Sequence, residues 1–428
     1  MRNHIVLGLL GLIVLGLLAG FGLAWRPAIA AIDPPSPTSF PADAVARGRV
    51  LAGEGYCGVC HTASLAGGYP LKTSFGTIYA TNITPDPETG IGRWSEPAFR
   101  RALHEGVARN GAHLFPAFPY DHFTKLTDAD VGDLYAYLMT RPAVHAKAKR
   151  NTLPFPLNVR ALQAGWKLLF FHPGRYQSDP VRSAERNRGA YLAEGLSHCG
   201  GCHTPRNVLG AEKTRQAYAG AELEGWIAPP LTTDNPSVLP WTREDIFSFL
   251  RFGASPLHGV AAGTMSPVVH QGLAAASDAD LTAIAGYFAD LNGSAAHLAG
   301  NDVVLAKAMA SSRLGAGQEF DPDARLYVAA CGSCHYNTGA LPLPTRPELA
   351  LSTNLRLSEP TNFIRVVIEG ISLPDAIPNV MMPGFGHALS DADIVRLATY
   401  LRRTRANLPP WPDMDKKIAA IRKQERAR

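Results

Sequence analysis

Gly55-Tyr56-Cys57-Gly58-Val59-Cys60-His61 holds two cysteines three positions apart, with a histidine directly behind the second. The arrangement returns as Cys199-Gly-Gly-Cys202-His203 and as Cys331-Gly-Ser-Cys334-His335. Together the three copies use all six cysteines of the 428-residue chain. Two thiols on one turn of helix can each form a thioether to the same porphyrin edge, and the next residue is then held beneath the iron. Cys-x-x-Cys-His is therefore read as an attachment site for c-type haem, and the chain is expected to carry three covalently bound haem c groups. Cys57, Cys60, Cys199, Cys202, Cys331 and Cys334 are the thioether donors. His61, His203 and His335 are the proximal iron ligands. One copy alone would also suit half of a zinc site or a redox dithiol. Three copies do not pair into four-ligand zinc ribbons, and disulfides would leave the three histidines without a purpose.

The sequence around each motif repeats at a spacing a little above a hundred residues. Thr127-Asp-Ala-Asp-Val, Ser277-Asp-Ala-Asp-Leu and Ser390-Asp-Ala-Asp-Ile each read as a helix start. The hydroxyl caps the first backbone N–H groups, and the aspartates favour the positive helix end. Nine residues after the first aspartate stands a tyrosine, Tyr137, Tyr287 or Tyr400, in a window apolar at helical spacing. A middle helix also recurs, with stops at Gly106, Gly253 and Gly370. Each unit thus has a motif-bearing helix, a middle helix, and a loop leading to a capped final helix.

That order resembles a class I cytochrome c domain. The chain as a whole resembles the three-haem cytochrome c subunits of membrane-bound bacterial dehydrogenases. The expected fold is mainly α: three consecutive class I cytochrome c domains joined by irregular linkers, preceded by an N-terminal hydrophobic helix. The expected divisions are 1–32 (membrane anchor or signal segment), 40–150 (domain 1), 151–183 (linker), 184–293 (domain 2), 294–320 (linker), 321–405 (domain 3) and 406–428 (basic tail).

The resemblance implies an axial methionine in the loop before each final helix. Met265, in GTMSPVV, and Met382, in MMPGFGHAL, stand there, with Met381 an adjacent alternative to Met382. The first unit departs from the pattern. Its loop reads AFPYDHF, where related loops resemble Pro-Ala-Met-Pro-Tyr, and Phe118 holds the methionine's place. A phenyl ring cannot ligate iron. His122 is the proposed substitute, with His113 or an open iron as the alternatives. Imidazole in place of thioether lowers a haem's potential.

Residues 5–25 form an uncharged apolar run long enough to span a bilayer. Ala28-Ile29-Ala30 resembles a cleavage site, so retained anchor and signal peptide both stand as readings. Either one delivers the chain to the periplasmic side of the cytoplasmic membrane. A net charge of +5, 46% apolar and 18% charged residues suit a globular chain and give no nucleic-acid footprint. The basic tail from Lys416 reads as a solvated terminal helix. No Rossmann fingerprint, P-loop or nucleophile elbow is present, so no substrate chemistry of the chain's own is expected.

The Phe118 loop, LPFPLNVR and AGWKLLFF (residues 164–171) resemble most the branch serving molybdenum hydroxylases, such as aldehyde and N-heterocycle dehydrogenases. That resemblance implies a molybdopterin catalytic subunit and a small iron–sulfur subunit as partners, and ubiquinone or a terminal oxidase as acceptor. Quinoprotein alcohol dehydrogenases and flavin-dependent sugar or gluconate dehydrogenases are the alternative partners. Rival classes are a haem peroxidase, using an open first iron, and a zinc-binding structural module.

Overall fold

The computed structural model describes residues 20, 22, 24–313, 321–344, 346–373 and 380–426. Most of the apolar N-terminal run lies outside them. Among the described residues no helix is long and apolar enough to cross a membrane. The chain divides into two compact units. The first holds Met1–Asp179 with the short stretches Glu194–His198 and Asn207–Ala211. The second holds Pro180–Ala193, Cys199–Arg206 and Glu212–Arg428.

In the first unit, α1 (Ala42–Glu54) leads into the short α2 (Cys57–Cys60), and β1 (Pro70–Thr73) pairs antiparallel with β2 (Gly76–Tyr79). Then come α3 (Glu96–Glu105), α4 (Tyr120–Phe123), α5 (Asp128–Met139) and α6 (Gln163–Phe170). The expected caps are in place. Thr127 Oγ1 accepts from the Asp130 N–H at 3.1 Å. Gly106 ends α3 at φ 62°, a left-handed conformation that favours glycine. α1 crosses α5 at Gly48, where an added Cβ would lie 1.9 Å from the Asp133 carbonyl oxygen and 2.7 Å from the Tyr137 Cβ. Arg47 bonds Asp133 at 2.7 Å beside that crossing.

The second unit repeats this plan. α7 (Ala184–Tyr191) precedes α8 (Gly200–His203), the hairpin β3 (Ala221–Leu223) with β4 (Trp226–Ala228), and α9 (Arg243–Phe252). The small hairpin of β5 (Ala254–Ser255) and β6 (Gly259–Val260) follows, then α10 (Met265–Pro267) and α11 (Asp278–Leu291). α7 crosses α11 at Gly189, where an added Cβ would meet the Ala283 carbonyl oxygen at 2.0 Å and the Tyr287 Cβ at 3.0 Å. Tyr137 and Tyr287 therefore sit where helices of the same role cross.

Further along come α12 (Asn301–Arg313), α13 (Pro322–Tyr327), α14 (Ser333–His335), α15 (Thr361–Glu369), β7 (Ile371–Leu373), β8 (Val380–Met382), α16 (Asp391–Leu401) and α17 (Met414–Arg426). Ala324, Tyr327, Ile364, Ile394 and Tyr400 share one buried cluster. The Tyr327 and Tyr400 rings lie 5.6 Å apart. Ser390 and Asp393 form a reciprocal capping box at the head of α16.

Three features go beyond the sequence reading. A hairpin or bridge follows each middle-helix glycine: Val107 with His113, β5 with β6, and β7 with β8. Both expected linkers contain a helix, α6 and α12. The basic tail is helical as read but not solvated all round. Met414, Ile418 and Ile421 of α17 are buried in the same cluster as Tyr400. The alternation of apolar and charged residues gives the helix one wet face and one dry one.

Candidate haem sites

Each Cys-x-x-Cys-His lies on short helical turns: Cys57–Cys60 in the first, Gly200–His203 capped by Cys199 in the second, and in the third Ser333–His335, which continues the π-helical turn Val328–Gly332 that holds Cys331. Tyr56, with a left-handed backbone (φ 56°), breaks α1 from α2 so that Cys57 opens a fresh turn. None of the six cysteines is in a disulfide. Burial, with the second thiol of the pair adding to it, pushes Cys57 and Cys199 up to about 12 and Cys331 up to about 11. Such thiols stay protonated near neutrality, unlike attacking thiolates.

The three histidines carry the clearest geometry. His61 Nδ1 lies 2.6 Å from the Thr81 carbonyl oxygen. His203 Nδ1 lies 2.7 Å from that of Pro229, and His335 Nδ1 lies 3.0 Å from that of Pro347. A carbonyl only accepts, so each Nδ1 is the protonated nitrogen. That leaves Nε2 as the lone-pair nitrogen in all three rings, which is the tautomer an iron needs. Burial lowers the pKa of all three against the opposing pull of the carbonyl, and so keeps the rings neutral. Among the described residues, the sulfurs and histidine of a motif do not converge as zinc ligands would. The donor set therefore fits a haem held by two thioethers and one imidazole, and it does not fit zinc.

The partner carbonyls of Thr81, Pro229 and Pro347 were not singled out from the sequence. The recurring signal is faint: Thr81-Asn-Ile, Pro229-Pro-Leu and Pro347-Glu-Leu each place an aliphatic residue two positions on.

On the distal side the expected residues fall as follows. His122 lies on α4, is buried, and bonds the Glu194 carbonyl oxygen through Nδ1 at 2.8 Å. That is the arrangement of the three motif histidines. Glu194 is itself held by Lys125 at 2.9 Å. The Phe118 ring packs edge-on against Phe123, with centroids 5.4 Å apart. His113 has both ring nitrogens engaged: Nδ1 lies 3.1 Å from Lys167 Nζ and Nε2 lies 2.9 Å from the Ala24 carbonyl oxygen. His104 is a buried histidine of α3, 3.8 Å from Asp128, and burial pushes it down to about 4. Met265 opens α10 and is half-buried. Met382 stands on β8 opposite Ile371, and Met381 opposite Ser372. Consecutive strand residues point to opposite faces. Met381 is 75% exposed, while Met382 is half-buried.

A mainly helical chain with this donor set is a c-type cytochrome. Residues 45–142 match the cytochrome c family, and residues 318–401 match cytochrome C oxidase, cbb3-type, subunit III. The chain is 45% identical over 415 residues to a subunit of the nicotinate dehydrogenase of Pseudomonas putida, across 95% of this chain and 34% of that protein. It is 36% identical to the gluconate 2-dehydrogenase cytochrome c subunit of Pantoea cypripedii, across 89% of this chain and 90% of that one. It is 34% identical to the fructose dehydrogenase cytochrome subunit of Gluconobacter japonicus, across 90% and 83%. The chain spans about a third of the first relative's length and most of the other two.

The chain belongs to the family of cytochrome c subunits of dehydrogenase complexes. It is an electron-transfer subunit that binds haem c covalently, and the branch expected from Phe118 includes the nicotinate dehydrogenase subunit.

Proposed function

We propose that this chain carries three haems, one in each of three cytochrome c domains (40–150, 184–293 and 321–405), and relays electrons from a molybdenum/iron–sulfur dehydrogenase to ubiquinone or a terminal oxidase. The catalytic subunit and a small iron–sulfur subunit are its partners, and the chain has no substrate reaction of its own. Bound haem supplies one-electron redox chemistry. The chain's residues hold that chemistry in place. His61, His203 and His335 would hold the irons through Nε2, each ring oriented by its carbonyl. His122, Met265 and Met382 would supply the second ligand of each. The repetition of the Nδ1–carbonyl bond in all three motifs supports the count of three. His122 shares that bond.

The observation that carries the choice of dehydrogenase is the 45% identity, over 95% of this chain, to the nicotinate dehydrogenase subunit. The substrate class is then an N-heterocycle or aldehyde. Purifying the native complex and identifying its co-subunits tests this. A molybdopterin subunit with a two-cluster iron–sulfur subunit is expected. A quinoprotein or flavoprotein subunit in their place overturns the assignment.

The N-terminal run is a retained anchor on the periplasmic side in this reading. Residues within and before Ala28-Ile29-Ala30 are bonded to the rest of the first unit. Ile29 N–H donates to the Arg109 carbonyl at 2.8 Å, Arg101 Nη1 donates to the Pro27 carbonyl at 2.7 Å, and the His113 ring donates to that of Ala24. Cleavage after Ala30 would remove all three acceptors or donors, which favours retention.

A further inference from the structure

Helix α6 is built inside out. Its polar side chains, Gln163 and Lys167, are each only 9% exposed, while Leu168 and Leu169 are 68% and 64% exposed. Leu162, just before it, is 53% exposed, and Gly165 and Ala161 lie outward too. Residues 161/162, 165 and 168/169 recur at the spacing of one helix face, so these apolar groups form a stripe. Phe155, earlier in the same segment, is 82% exposed. A face of this kind is the opposite of what water selects, and contiguous exposed apolar surface marks an interaction site.

The inward face is fixed by polar bonds. Lys167 Nζ donates to the carbonyls of Glu105 and Gly106 at 2.6 and 2.7 Å, and to His113 Nδ1 at 3.1 Å. The lysine thereby caps the C-terminus of α3, where a cation is favoured. Trp166 packs edge-on against Tyr120, which rules out a rotated helix with the leucines inside.

The position of the stripe identifies its occupant. His113, the acceptor of Lys167, donates from Nε2 to the carbonyl of Ala24. Ala24 stands near the end of the apolar run of residues 5–25, and Trp25 beside it is 59% exposed. One histidine therefore ties the root of the bilayer-length run to the helix that shows its leucines to solvent. Arg26 and Arg160, both in exposed positions, flank the pair in sequence. Arg160 Nη1 also donates to the His113 carbonyl at 2.9 Å. A tryptophan at the boundary, an apolar helix face and adjacent arginines are the elements of an interfacial membrane contact.

We infer that the outward stripe of α6, with Phe155 and Leu162, lies in the headgroup region of the bilayer as a second membrane contact beside the anchor, facing anionic lipid. This rests on the retained-anchor reading above. It adds that the first unit is held at a fixed tilt on the membrane and does not swing from a single tether.

Nitroxide labels on the full-length haem-loaded chain test it. L169C in the stripe and D43C on α1 would each be labelled in vesicles of phosphatidylethanolamine and phosphatidylglycerol, with unchanged haem absorbance confirming the fold. The label at 169 is expected to relax with lipid-soluble oxygen and to lose its response to a water-soluble nickel chelate. The label at 43 is expected to keep its response to nickel. Equal nickel access at both positions overturns the inference. So does protection at 169 that appears only when the dehydrogenase subunits are added, since the stripe would then be a protein contact. N-terminal sequencing of the same sample reports separately whether the anchor is retained.

Discussion

A histidine ring has two nitrogens, and what one of them binds decides what the other can do. In His61, His203 and His335 a backbone carbonyl takes Nδ1 and leaves the lone pair on Nε2. His122 Nδ1 bonds the Glu194 carbonyl in the same way, and His113 bonds Lys167 and Ala24. We expect His122→Ala to turn the first haem from low-spin to high-spin, and His122→Met to raise its potential. Visible and EPR spectra check the first and a redox titration the second, and an unchanged low-spin signature in the alanine variant would remove His122 from the site. The buried His104 gives a pH prediction. Its pKa falls from 6.5 to about 4 on folding because burial disfavours the charged ring. The unfolded chain then binds the proton first, so stability is lost as pH falls from about 6.5 towards about 4, by up to about 3 kcal/mol. His104→Gln should flatten that part of the pH dependence, as read from urea midpoints. The cysteines and motif histidines were legible in the sequence because their spacing is itself the chemistry. The carbonyls that orient the rings were not, because every residue has a carbonyl and only the fold selects one.

At the scale of elements, the caps were legible and the crossings were not. Thr127, Ser277 and Ser390 each accept from the N–H three residues on, as the Ser/Thr-Asp-Ala-Asp runs imply. Ser277→Ala is expected to cost about 1 kcal/mol in denaturant unfolding. The glycines at the crossings matter more. At Gly48 and Gly189 a new Cβ would press on backbone, at 1.9 and 2.0 Å, with no flexible side chain to yield. Gly48→Ala and Gly189→Ala should each cost about 2 kcal/mol or more, since overpacked backbone contacts must spread apart. Unchanged melting of either variant would contradict the close crossing. A lone glycine inside an amphipathic helix carries no signal of what it faces, so these positions could be found only in the structure. The hairpins after Gly106, Gly253 and Gly370 are likewise too short for alternation to show. Which way the AGWKLLFF segment of α6 faces was not legible, for the converse reason. Its leucines and lysine satisfy helical periodicity, but periodicity assumes that the apolar side turns inward.

For the whole molecule, the repeat announces its electron-transfer role and its departures carry the specificity. Two loops have methionines where distal ligands are due, and one has Phe118 with His122 behind it. An imidazole-ligated first haem would sit below two thioether-ligated ones, so electrons entering there would run downhill to the others. The isolated chain is expected to show no peroxide turnover, because the proposed ligand set would fill both faces of each of the three proposed irons. Rapid peroxide consumption would point to an open iron instead. The most direct measurement is a spectroscopic redox titration of the purified chain. Three one-electron steps are expected, one of them well below the other two and raised by His122→Met. Fewer than three steps, or three that coincide and ignore that substitution, would contradict it.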